Sequence, residues 1–224
     1  MIQYRIERKN VKNINLRIRC DGTVCVSAND SVPEQYIHEF VQRKMHFIQK
    51  ALAGFKEQKS LMAPTKHYVT GESFYLLGHS LRLRVKQCHK PCVYTDGVYL
   101  FLETPKTDDY EKKRRQVLRF YHQQCLMVFG EILTEVYAKF QKYGVEKPCL
   151  KLRNMKTRWG SCISKKCSIT LNKRLIEMPR HCIEYVVTHE LCHLIHPNHS
   201  RAFYDMLTMF MPDWRERKAW MDKA

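Results

Sequence analysis

Apolar residues recur along this chain with two periods, and each change of period marks a new element. Over residues 1–30 they alternate with polar ones. Ile14 to Arg19 and Thr23 to Ser27 carry that two-residue period on either side of Asp21-Gly22, a dipeptide suited to a tight hairpin turn. From Pro33 the period lengthens. Ile37, Phe40, Val41, Met45 and Ile48 fall on one face of a helix that runs to about Phe55. Lys56 to Lys66 reads as a polar linker ending near Pro64. Alternation then returns over 67–103. Tyr68, Phe74 to Leu77, Leu81 to Val85, Val93-Tyr94 and Val98 to Leu102 are short strands punctuated by Gly71, Gly78 and Asp96-Gly97.

The second half opens with Thr107-Asp108-Asp109, which can cap a long helix from about Tyr110 to Lys142. Its apolar positions include Val117, Phe120, Tyr121, Val128, Ile132, Val136 and Phe140. Three strands follow: Cys149 to Arg153, Arg158 to Cys162, and Ser168 to Asn172. Pro179 then starts a helix at the favoured first-turn position. Ser200 can cap a further helix bearing Phe203, Met206, Leu207 and Phe210, which Met211-Pro212 breaks, and Trp214 to Ala224 forms a last short one. The pattern is α+β. It predicts an N-terminal β-rich region over 1–103 with one helix at about 33–55. Residues 104–224 form a second region, in which the long helix backs a sheet containing 158–162 and 168–172. No alternating strand–helix units with a Gly-rich phosphate loop occur, which excludes a parallel dinucleotide-binding sheet.

The helix after Pro179 carries the chemistry, in His189-Glu190-Leu191-Cys192-His193. Residues four apart share a helix face, so two imidazoles at this spacing can grip one Zn²⁺ while the Glu between them reaches a metal-bound water. At about 100° per residue, His193 lies roughly 40° from His189, and Glu190 roughly 100°. Ile183, Val187, Leu191 and Leu194 cluster on the far side, leaving an apolar face for the core. A catalytic zinc takes three protein ligands and keeps a position for water. His199 and His196 both compete to be the third. Pro197 biases His196 out of the helical region, and Asn198 tolerates a left-handed turn that swings His199 back, so His199 is favoured. Glu190 is then the general base. Cys192, about 300° around the helix from His189, reads as a packed thiol.

Composition narrows the setting. Lys and Arg exceed Asp and Glu by 39 to 22, a formal charge of +17 that favours anionic partners. The Lys112-Lys113-Arg114-Arg115 run reads as a solvated helix face. Arg153, Lys156, Arg158 and Lys173 lie near the strands before the metal helix and can meet an anionic substrate. Arg158 leads among them because it abuts Trp159-Gly160. Gly160 permits close substrate approach, and Trp159 packs in the core. The ten cysteines lie inside strand and helix patterns, with no apolar leader at Met1 to Arg5. They are expected to be reduced thiols of a cytoplasmic protein. Cys88/Cys92 and Cys162/Cys167 lack the tight spacing of a second zinc site. No run of 18 apolar residues is present, so no membrane partner is expected.

Taken in order, Leu16-Arg17-Ile18-Arg19, Asp21-Gly22-Thr23-Val24, Arg158 to Cys162, Leu171-Asn172, His189 to His193 and Asn198 to Phe203 resemble the YgjP-like metal-dependent hydrolases. The resemblance spans nearly the whole chain. It implies a zincin-type catalytic region behind the N-terminal β-rich part, with metal on His189, His193 and His199 and catalysis by Glu190. The motif followed by a later His and an aromatic is also similar to SprT-like and WLM-type proteases. The His193 to His199 spacing equals that of the metzincins, but those carry Gly where this chain has His196. The resemblance implies zinc, with another divalent metal as an alternative in activity. It leaves two enzymatic readings open: a metallopeptidase, and a nucleoside triphosphate pyrophosphatase acting on UTP. Basic charge suits an anionic substrate and equally a protease acting on proteins bound to nucleic acid. A third reading, a nucleic-acid-binding module with structural zinc, is weakened by Glu190, which a structural site does not need.

Overall fold

The computed structural model describes residues 3–18, 22–49, 52 and 66–222. The chain divides into two compact units, Met1–Lys66 and His67–Ala224.

In the first unit, β1 (Tyr4–Arg8), β2 (Asn15–Ile18) and β3 (Val24–Ala28) form one sheet in the order β1-β3-β2. β2 and β3 pair antiparallel, as the hairpin pattern predicts, and β1 runs parallel to β3. Asp21 of the expected turn lies outside the described residues. β3 is the central strand, which is why Val24, Cys25, Val26 and Ala28 are all buried. Helix α1 (Glu34–Arg43) adds Ile37 and Val41 to this small core, and Ile48 follows from the helical residues 45–49. The expected helix end near Phe55 and the linker over 56–65 lie outside the described residues.

The second unit begins with a four-stranded sheet of β4 (Ser73–Leu76), β5 (His79–Gln87), β6 (Cys92–Thr95) and β7 (Tyr99–Thr104), ordered β4-β5-β7-β6. Its strands alternate strictly. Phe74, Leu76, Leu81, Leu83, Leu100 and Leu102 are buried in one continuous core with the long helix and the metal helix. The sheet over 73–104 therefore shares a core with the residues after it, and the division falls after Lys66 instead of at 103/104. The long helix α2 spans Tyr110–Tyr137. Asp109 caps it by accepting a hydrogen bond from the Lys112 backbone N–H at 2.9 Å. It stops short of the expected Lys142, where the chain turns through a 3-10 stretch at Gln141–Tyr143 into left-handed Gly144. It packs principally against the metal helix, the 3-10 stretch at Lys173–Glu177, β6 and β7, so the sheet it backs is the four-stranded one.

A second sheet holds β8 (Cys149–Arg153), β9 (Gly160–Ile163) and β10 (Ser168–Asn172) in the order β8-β10-β9. β10 is central and buried at every position, pairing parallel with β8 and antiparallel with β9. β9 is an edge strand. It starts at Gly160, so Arg158 and Trp159 precede the strand that the sequence pattern places them in. A 3-10 stretch at Lys173–Glu177 leads into the metal helix α3 (Arg180–Ile195), followed by α4 (Arg201–Phe210) and α5 (Trp214–Met221). Pro179 caps α3, one position before the first-turn place expected for it. The Ser200 side chain caps α4 by accepting from the Phe203 N–H. Among the described residues no helix is long and apolar enough to cross a membrane, and the nine described cysteines are all free.

One contact ties the first sheet of this unit to the start of α3. The β4–β5 turn has two residues, Leu77 and Gly78, both at positive φ (50° and 85°), the geometry of a tight hairpin turn matched to strand twist. Its N–H groups donate to Ile176 and Glu177 carbonyls at 2.8 and 3.0 Å. A Cβ on Gly78 would stand 2.8 Å from Pro179 Cγ. Gly78→Ala would meet both backbone strain and a clash with the residue that opens the metal helix. We expect it to lower stability by about 2–4 kcal/mol in denaturant titration. Gly97→Ala, with positive φ but open space around it, should lose only the strain contribution of about 1–2 kcal/mol.

Candidate metal centre and catalytic cleft

Helix α3 is buried along most of its length, with Ile183, Val187, Leu191 and Cys192 in the core. It ends where expected. His196 is extended (φ −118°, ψ 96°) just before Pro197, and the chain reverses so that His199 faces back toward the helix. His189 Nε2 and His199 Nε2 stand 3.1 Å apart, and ring nitrogens of His189, His193 and His199 all lie within 4.8 Å of one another. That spacing suits three nitrogens bound to one ion by bonds of about 2.0–2.1 Å. His196 takes part through its backbone. Its carbonyl accepts a hydrogen bond from His193 Nδ1 at 3.1 Å, which fixes the tautomer and leaves Nε2 free to ligate. The donor set therefore fits a divalent metal of the zinc class.

Electrostatics agree with ligation by neutral imidazole. Burial holds His189 down to about 3, with the neighbouring His193 and His199 adding to the effect, and burial also lowers His193. Burial pushes the Glu190 carboxyl up to about 7, against the opposing pull of Arg158. Glu190 is nearly inaccessible, and its Oε2 has no protein hydrogen-bond partner among the described residues. A buried oxygen left without a partner is costly, so it points to a ligand that it is placed to meet. Burial raises Cys192 to about 12, so it is an unreactive packed thiol as the sequence indicates.

These groups open into a cleft of about 680 Å³, lined on one side by His189, Glu190, His193 and His199 and on the other by Arg158 to Cys162. Arg158 is exposed at this cleft. Of the four cations near the motif strands, it alone borders the cleft among the described residues. Trp159 also borders it while packing partly into the core. Gly160 turns out to make room for a protein group: a Cβ there would stand 2.6 Å from Glu190 Oε1 and 2.9 Å from its Cγ.

Three further residues shape the site, and periodicity does not reveal them. Phe203 is fully buried, with its ring centroid 4.6 to 5.0 Å from those of all three histidines. In the sequence it reads as a core position of its helix and as the aromatic that follows the later His of the motif, with no sign of its contact with the imidazoles. Asn172 ends β10 and staples the loop before β9. Its Nδ2 donates to the Met155 and Arg158 carbonyls at 2.8 and 2.9 Å, and its Oδ1 accepts from Met155 and Arg174 N–H groups. An Asn inside a buried strand is unusual, and that was the available signal. Ser164 Oγ donates to the His193 carbonyl at 2.8 Å, satisfying a group near the helix end.

The Gly160 contact yields a test. Gly160→Ala should displace the Glu190 carboxylate while leaving the three histidines in place. Metal content of the purified protein should match wild type, and hydrolytic rate should fall about 10²-fold. Full activity in this variant would show that the close approach does not matter.

The model of the YgjP-like metallopeptidase domain family matches residues 12–224. A comparison with curated proteins found no match. Among solved structures, the chain is similar to the metallopeptidase zymogen jannalysin of Methanocaldococcus jannaschii, at 21% identity and a TM-score of 0.38, over 42% of this chain and 94% of that one. It is also similar to the metallopeptidase zymogen abylysin of Pyrococcus abyssi, at 20% identity and a TM-score of 0.37, over 42% of this chain and 90% of that one. With its family matched from residue 12 to its last residue, the chain belongs to the YgjP-like family and is a metal-dependent hydrolase of the metallopeptidase type.

Proposed function

We propose that this chain is a zinc metallopeptidase, with His189, His193 and His199 as metal ligands and Glu190 as general base. The observation that carries the proposal is the edge strand β9 lying along the same cleft as the three histidines and Glu190. An edge strand offers unpaired N–H and C=O groups to an extended peptide, which can add as a further strand. Zinc, when bound, supplies Lewis-acid polarisation of the scissile carbonyl and makes water easier to deprotonate. Glu190 takes the proton from the attacking water and hands it to the leaving amine. Its raised carboxyl suits both halves of that transfer, because a group titrating near neutrality accepts and releases a proton readily. Phe203 beneath the imidazoles and the His196 carbonyl behind His193 hold the ligands in orientation. Arg158 at the cleft adds a preference for acidic side chains in the substrate or for proteins held on nucleic acid.

The same geometry weighs against a nucleotide substrate. A triphosphate needs several cations around its oxygens. Arg153, Lys156 and Lys173 do not line the cleft, which leaves Arg158 alone among the four.

Purified enzyme should be assayed with Zn²⁺, Mn²⁺ and Mg²⁺ on casein-type and nucleotide panels. Peptide cleavage is expected, and Glu190→Gln should keep fold and metal while losing at least about 10²-fold in rate. UTP turnover without peptide cleavage, abolished in Glu190→Gln, would replace the peptidase reading with a phosphohydrolase.

Metal content gives an independent check of the third ligand. After dialysis, His199→Ala should lose bound zinc by elemental analysis. His196→Ala should retain it, since His196 contributes a backbone carbonyl. The reverse pattern would transfer the third ligand to His196.

A further inference from the structure

The four-stranded sheet of the second unit has a solvent face that its core packing does not explain. Leu81 and Leu83 of β5 and Leu100 and Leu102 of β7 fill the buried side. Pleat alternation sends their neighbours outward. On β5 the outward positions are Ser80 and then three cations, Arg82, Arg84 and Lys86. On β7 they are two aromatics, Tyr99 and Phe101, followed by Glu103 opposite Lys86, and β6 adds Tyr94. Register brings them into rows, with Arg82 opposite Tyr99 and Arg84 opposite Phe101, which in turn faces Tyr94. The Tyr94 and Phe101 rings stack at 4.8 Å with 16° between their planes. The Arg84 guanidinium lies 3.7 Å over the Tyr99 ring, and Lys86 Nζ lies 5.3 Å over Phe101. Tyr94 is 41% exposed. Among the described residues none of these three cations forms a salt bridge; Glu103, across from Lys86, accepts a hydrogen bond from the Tyr94 hydroxyl at 3.3 Å, and Asp96 interacts with Arg84 only at longer range.

We infer that this face is a docking surface for single-stranded nucleic acid. Unpaired bases are bound by stacking on aromatic rings and on arginine planes, while flanking cations track the phosphates. This face supplies both on neighbouring strands of one open sheet, at a scale that suits two or three bases. The charge complementarity is local as well as global, since the chain carries +17. A duplex hides its base faces, so the stacked rings have no use for one. Stacking and phosphate contacts make no use of a 2′-hydroxyl, so DNA and RNA strands of equal length should bind alike. The surface lies on a different sheet from the cleft strand β9, and the inference stands apart from the peptidase reading.

Fluorescence anisotropy with labelled oligo-dT and oligo-U of about 12 nucleotides, a length within the usual range for such surfaces, tests this on the full chain. Both strands should bind, and duplex DNA should compete poorly. Tyr94→Leu with Phe101→Leu should weaken binding at least about tenfold with the salt dependence retained. Arg84→Gln with Lys86→Gln should flatten the log–log salt slope by roughly 1.4, as expected for two lost phosphate contacts on a single strand. Photocrosslinking of a 4-thiouridine strand to the wild-type protein needs no variant, and its adducts should map to β5, β6 and β7. Equal affinity for duplex, unchanged affinity in the aromatic variant, or adducts confined to other segments would each overturn the inference. So would a wild-type dimer in sedimentation that the aromatic variant dissolves, since a second copy would then be the occupant.

Discussion

The metal helix must be buried on nearly every side and still keep ionisable groups along one edge. Cys182, Ile183, Val187, Leu191 and Cys192 are sealed in the core, while His189 and Glu190 occupy the same turns. Low polarity around those two groups penalises their charged forms, which keeps the imidazole neutral and the carboxyl easy to protonate. The site's chemistry is thus a consequence of how the helix is packed. Its surroundings reflect that demand. The Gly78 turn rests on Pro179 at the helix start. Arg217 of α5 reaches Glu184 and the His181 carbonyl at 2.8 and 3.0 Å, and Arg180 grips Glu135 of the long helix through both carboxylate oxygens. These ion pairs are partly exposed and individually weak, so they orient the helix more than they stabilise it.

Local signals in the sequence were reliable wherever one residue's chemistry sufficed. Asp109 and Ser200 cap the helices that they precede, Pro197 forces His196 out of α3, and Asp96-Gly97 turns β6 into β7. The three-histidine cluster was legible for the same reason. Helical spacing joins His189 and His193, and the break at Pro197 frees the chain to return His199. His196 lies near enough in sequence to compete as a ligand, and only the fold shows its carbonyl turned to His193.

What stayed hidden depends on contacts between segments far apart in sequence. The parallel pairing of β5 with β7, or of β8 with β10, leaves no trace in alternation, so strand order and the identity of the edge strand were open. The boundary placed at 103/104 followed a change of period from strand to helix. A change of period marks an element, whereas a unit is defined by a shared core, and Leu83 and Leu102 share theirs with Phe129 and Ile183. Gly160 carries the same lesson at atomic scale. Its missing side chain was legible as a need for space, but the group that fills that space, Glu190, comes from a helix on another segment.

The excess of positive charge acquires meaning from where it lies. A net +17 invites the assumption that basic residues gather around the chemistry. The cleft instead has Arg158 as its only Lys or Arg among the described lining residues, and the rest of its wall is largely neutral. Further cations crowding a buried carboxylate would favour its ionised form and undo the shift that burial produces. Keeping most of the charge away from Glu190 preserves a carboxyl that can both take and give a proton. Arg82, Arg84 and Lys86 stand exposed on the outer face of a separate sheet, with Arg84 and Lys86 over aromatic rings. The fold thus separates two electrostatic environments that could not share one pocket: a weakly charged, partly buried cleft around Glu190, and an exposed cationic face on another sheet.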